Sequence, residues 1–174
     1  MFSKFSIAVL FLGAIAFSGC DQSKEVVVQV SPESKVAIPG DFFLAAAPTG
    51  SEGLVAVKGK VKAGDKVIFD GRIGGRKEPF VAGFALMTVV DMKMNPCSDA
   101  CAAPWDYCCD TTEDIAANSA TVQIVDDAGK PLALAINGTK GLAPGAKVTV
   151  VGIVNKNEAD GTFIVNATSV FVGS

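Results

Sequence analysis

The chain contains no histidine. That removes the commonest general base, the side chain that titrates near neutral pH, and the most frequent metal ligand. Serine and threonine are left without an imidazole partner, so no hydrolytic triad can be assembled. Polar aromatics are scarce too, with one tryptophan and one tyrosine in 174 residues. Cys-x-x-Cys, the spacing of thiol–disulfide enzymes and of many zinc sites, does not occur. No Walker pattern is present. Between Lys93 and Lys130 there is no basic residue. The longest apolar run near the start, residues 7–17, is shorter than the ~20 residues a membrane span needs. These gaps give no catalytic constellation, and the chain reads as a non-enzyme.

What is present begins with address information. Lys4 precedes the apolar run, which leads into Phe17-Ser18-Gly19-Cys20. A short cationic lead, an apolar core and small residues before a cysteine make a secretory signal. The segment resembles the lipobox of bacterial lipoproteins, with Phe17 where leucine is more usual. That resemblance implies removal of residues 1–19 and lipidation of Cys20. The acyl chains then hold the mature N-terminus on a membrane. The expected location is the cell envelope, facing the periplasm. Asp21 resembles an inner-membrane retention mark, but the choice of membrane stays open. Residues 20–50 read as a polar, turn-rich tether with one strand-like stretch at 26–30. Within it, residues 42–50 suggest a short apolar segment that packs on the domain.

Residues 51–174 have the size of one domain. The formal charge of the chain is −3, and loss of Lys4 makes it one unit more negative. Such a chain is a poor general binder of nucleic acid or anionic lipid. Lys58, Lys60, Lys62, Lys66, Arg72, Arg76 and Lys77 cluster. Asp99, Asp106, Asp110, Glu113, Asp114, Asp126 and Asp127 fill the stretch that lacks bases. Two solvated faces, or a positive groove opposite an acidic loop, both fit this pattern.

From residue 54 onward the pattern is β. Residues 55–60 partly alternate, which suits a half-buried strand or a helix. Residues 66–73, 85–91, 120–126, 132–136, 147–155 and 163–172 are short and rich in Val, Ile, Thr and Phe. Asp127-Ala128-Gly129 and Asp160-Gly161 are turn chemistry. Asp110, with Glu113 three residues on, predicts a capped helix over 111–117 ending near Asn118. Phe69, Phe84, Phe163 and Phe171 read as core, so no base-stacking platform is expected. Gly64-x-Lys66-Val67-x-x-x-Gly71-x-Ile73 is echoed by Gly145-x-Lys147-Val148-x-x-x-Gly152-x-Val154. A glycine inside a strand marks a bulge or a tight barrel corner.

Residues 63–172 resemble an OB-fold, a small antiparallel β-barrel of about five bent strands. The whole chain also resembles small bacterial lipoproteins carrying the segments seen here as Gly71–Gly75 and Pro104–Cys109. That resemblance implies an envelope setting and supplies no mechanism.

The cysteine loop is the main chemical feature. Cys97-x-x-x-Cys101 is followed by Cys108-Cys109, with Trp105 and Tyr107 between. In an oxidising compartment four cysteines suggest two disulfides. Adjacent Cys108 and Cys109 cannot pair without strain. Cys97–Cys108 with Cys101–Cys109, or Cys97–Cys109 with Cys101–Cys108, remain. The same thiolates can hold zinc or a softer ion such as Cu(I), with Met92 and Met94 just upstream. No other cofactor is expected. Thiol–disulfide exchange is a third reading, disfavoured by the acidic surroundings. Gly74 and Gly75 between Arg72 and Arg76 suggest an anion cradle or a bulged strand end. The resulting expectation is a lipid-anchored binding or scaffold module. Arg72, Arg76, Trp105 and Tyr107 would contact an envelope protein or a small anionic ligand.

Overall fold

A computed structural model describes residues 37–98 and 100–173. The signal segment, Cys20 and the strand-like stretch at 26–30 lie outside the described residues. Among the described residues no helix is long and apolar enough to cross a membrane.

Strand β2, Lys66–Ile73, alternates along its length and turns Val67, Phe69 and Ile73 inward. Period-two alternation with one apolar face is what a barrel wall requires. The other walls are β3 (Leu86–Asp91), β4 (Ser119–Gln123), β5 (Lys147–Asn157) and β6 (Phe163–Gly173). Their order is β2-β3-β4-β6-β5, and β5 pairs back onto β2. All contacts are antiparallel except β4 with β6. This is a closed five-stranded Greek-key barrel, as the OB-fold resemblance implies. Inside it Phe69, Met87, Val89, Val122, Val150, Phe163 and Val165 form one apolar cluster.

The two echoed glycines face equivalent partners. Gly71 pairs with Val148, and Val67 pairs with Gly152. A Cβ on Gly71 would meet the Val90 carbonyl oxygen at 2.8 Å, and one on Gly152 would meet that of Asn166 at 2.5 Å. Both sites therefore demand glycine because another strand crosses too closely. Gly152 also marks a register shift between β5 and β6.

Two local expectations are corrected and one open alternative is decided. Residues 132–136 form no strand; a single bridge joins Val125 to Pro131, and Ile136 is buried in the apolar cluster of the barrel. Residues 54–58 form helix α1, Leu54–Lys58, because Leu54 and Val57 bury together at helical spacing. Phe84 is 46% exposed, since it sits in the turn before β3 rather than on a wall. The folded body also begins upstream of residue 51. Phe42 is buried, and the Phe42–Leu44 backbone exchanges hydrogen bonds with Val170.

Helix α2 is Thr112–Ala117. Its cap is Thr111, whose hydroxyl accepts from the Asp114 amide at 3.1 Å, not Asp110. Asn118 ends it as expected. The Lys58 ammonium then ties this helix to the β5–β6 turn. It donates to the carbonyls of Ala116 (2.9 Å), Ala117 (3.2 Å), Ser119 (3.3 Å) and Gly161 (2.7 Å). A cation at a helix C-terminus satisfies carbonyls that have no other donor. Burial pulls its pKa below the usual lysine value, and the Asp160 carboxylate opposes this. Lys60 pairs with Glu52. The basic cluster is thus partly consumed in holding the fold.

The only charged side chain among the buried described residues is Asp91, 1% exposed at the end of β3. Its carboxylate accepts from the Val55 amide and from the Lys93 amide, each at 2.8 Å. Gly53 gives α1 no capping side chain, so Asp91 caps that helix from 36 residues away. Replacing it with alanine leaves two amides without their acceptor. We expect Asp91→Ala to cost about 2–3 kcal/mol in urea unfolding at unchanged slope, and Asp91→Asn, which keeps one oxygen, to cost less.

Candidate functional site

Residues 92–111 connect β3 to α2 and carry the four cysteines. The base of the excursion is closed by the Asp91 amide donating to the Asn118 carbonyl at 2.9 Å. Its far part lies across the end of β2. The Gly75 amide donates to the Trp105 carbonyl at 2.8 Å, and the Trp105 indole donates to the Lys77 carbonyl at 3.2 Å. A Cβ on Gly74 would meet the Trp105 carbonyl oxygen at 2.5 Å and the Tyr107 ring at 3.1 Å. Glycine here allows backbone to lie on backbone.

This contact revises the anion cradle. The Gly74 amide donates to Thr88 and the Gly75 amide to Trp105, so neither points at a ligand. Arg76 is exposed. Arg72 is half-buried and donates to the Gly145 carbonyl at 3.3 Å. The two arginines do not converge. Tyr107, expected to contact a ligand, is fully buried. Its backbone is left-handed, with φ of 58°, a conformation that costs energy for a bulky side chain. Burial pushes its phenol up, and the Arg72 guanidinium beside it pulls the other way. Among the described residues, Arg72 Nε and the Tyr107 hydroxyl have no well-formed hydrogen bond. Trp105 keeps partial exposure beside Gly145. Both aromatics therefore mount the loop on the barrel.

The mount also explains β3, which is buried on both faces. Its outer side chains Thr88 and Val90 are roofed by Gly75 and by Ile115 of α2. Simple alternation fails wherever a loop covers the outer face of a barrel.

Above this mount the sulfurs converge. The Sγ atoms of Cys97, Cys108 and Cys109 all lie within 4.8 Å of one another. Cys97 and Cys108 are 3.6 Å apart. Cys101 approaches Cys108 at 3.8 Å but stands outside the trio. Neither expected disulfide pairing is formed; all four are free thiols. The turn that folds Cys97 over the cluster is set by its amide donating to Pro104 at 2.9 Å. Cys108 and Cys109 are exposed, and Cys97 and Cys101 are half-buried. Met92 lines a separate shallow cleft with Asp70, Lys147 and Phe171, so it does not join the sulfurs.

The thiols are electrostatically unequal. The Cys109 backbone amide aimed at the Cys97 sulfur pulls its pKa down, helped by Cys108. The acidic surroundings had suggested the opposite; at Cys97 the opposing influence is desolvation, and the backbone amide outweighs it. Cys108 is pushed up to about 12, first by the Cys97 sulfur and then by Cys101. Cys109 is raised, again chiefly by Cys97. An ionised Cys97 therefore opposes ionisation of Cys108 and Cys109. A cation among them reverses that order by binding the deprotonated forms.

Gly74→Ala should lift the loop from its mount. We expect a loss of about 1–3 kcal/mol in stability and a shift in the fluorescence of Trp105, the chain's single indole. An unchanged emission spectrum would show that the loop is held elsewhere. No family model, curated protein or solved structure matches this chain.

Proposed function

We propose that this protein is a lipid-anchored component of the cell envelope whose barrel presents a sulfur site for a thiophilic metal ion. The observation that carries the binding reading is the convergence of Cys97, Cys108 and Cys109. Cysteines converge for a disulfide or for a metal, and three sulfurs within 4.8 Å of one another are one more than a single disulfide uses. Three thiolates around one centre are suited to a d¹⁰ ion and not to calcium or magnesium, which take oxygen. Backbone amides directed at Cys97 match the outer hydrogen bonding that orients metal thiolates. The barrel serves as the rigid mount. The anchoring reading is carried by Ser18-Gly19-Cys20 after the apolar run, with the acyl chains on Cys20.

Two measurements test this. Labelled palmitate fed to producing cells should appear on the full chain and vanish in Cys20→Ala. The chain purified under reducing, metal-replete conditions should retain about one equivalent of metal by native mass spectrometry. A mass four hydrogens light with no metal, under those same conditions, would mean two stable disulfides and end the metal reading.

A further inference from the structure

The sulfur set restricts which ion it suits. We infer that the site takes a soft monovalent cation of the Cu(I) kind, held by the three sulfurs of Cys97, Cys108 and Cys109 and open to exchange with an incoming thiol. This rests on the metal-binding reading above and names its ligand.

Three features of the cluster point the same way. The first is coordination number. Zinc in a structural site takes four protein ligands in a closed tetrahedron. Here three sulfurs lie mutually close and the fourth, on Cys101, touches Cys108 from outside the group. Among the described residues no carboxylate joins the trio, and the chain has no histidine to do so. The second is softness. A donor set of thiolates alone selects Cu(I) over harder ions. A metal–sulfur bond of about 2.3 Å places sulfurs about 4.0 Å apart in a planar triangle. The Cys97–Cys108 separation of 3.6 Å is within a small adjustment of that value.

The third feature is access. Cys108 and Cys109 are exposed, and only Cys97 and Cys101 are partly covered. A three-coordinate ion on an exposed triangle can accept a fourth sulfur from solvent or from another protein before an original bond breaks. No oxidation or reduction is involved; one thiolate replaces another. A buried tetrahedron has no such opening.

The test uses the full chain, reduced and held under anaerobic conditions, titrated with Cu(I) against a chromophoric Cu(I) chelator and separately with Zn(II). The expected result is one equivalent of Cu(I), with sulfur-only coordination and three neighbours by X-ray absorption. Cys101→Ser should bind within about threefold of the parent. Cys97→Ser, Cys108→Ser and Cys109→Ser should each weaken Cu(I) by more than about 100-fold, beyond the loss typical of an outer-shell change. Circular dichroism and Trp105 fluorescence report whether each variant folds; if Cys97→Ser does not, the Cys108 and Cys109 variants carry the comparison. Tight Zn(II) binding by four sulfurs, lost in Cys101→Ser, would overturn this inference and leave metal binding standing. Failure of both ions to bind would remove both.

Discussion

The cysteine loop has a position because the carboxylate of Asp91 holds its root. That side chain sits where β3 ends, and it accepts from one amide of α1 and one of the loop's first residues. Its own amide meets Asn118, where the chain returns to the barrel. A buried carboxylate is expensive unless hydrogen-bonded. Here its two acceptor oxygens fix three pieces of chain at one point. The loop that departs from it is long, and its one regular element among the described residues is the single turn Pro104–Asp106, so its order is borrowed from this anchor and from the barrel wall beneath.

The second hold lies near the other end of the loop. Backbone on backbone at Gly74, the Gly75–Trp105 hydrogen bond and the burial of Tyr107 fix the segment just before Cys108-Cys109. Between the two holds the chain turns back so that Cys97 meets the vicinal pair. The Cys97 amide donating to the Pro104 carbonyl sets that turn, and the left-handed backbone at Tyr107 leads into the vicinal pair. Its strain is offset by packing the ring fully away from water. The geometry of the sulfurs is thus inherited from residues that bear no sulfur.

Much of the barrel could be read from the chain. Val67, Phe69 and Ile73 alternate cleanly, and the Gly71 and Gly152 echo pointed to bulges or tight barrel corners, where another strand does pass closely. What escaped were effects of tertiary origin. The cap on α1 comes from Asp91, far away in sequence, so residues 54–58 fitted strand or helix alike. Thr111, not Asp110, caps α2 because the loop delivers the chain one residue later. Gly74 and Gly75 looked like free amide donors because nothing local shows that Trp105 uses one of them. Tyr107 looked like a contact residue for the same reason: a lone polar aromatic in a polar loop gives no sign of the wall it lies against. The cysteines were legible as a set, but their division into a trio and an outlier was not, since that depends on how the loop folds back.

Closure of the barrel has a consequence for crowding. β5 returns to β2 and β4 meets β6, while the two-residue strand β1 (Glu52–Gly53) and the Phe43 bridge cover stretches of β2 and β6 that those pairings leave open. Exposed sheet edges let neighbouring molecules zip together, and a wall without a long free edge removes that route. Many copies can therefore be packed side by side without fusing through their backbones. Among the described residues, a partner would meet side chains before it met an open backbone edge.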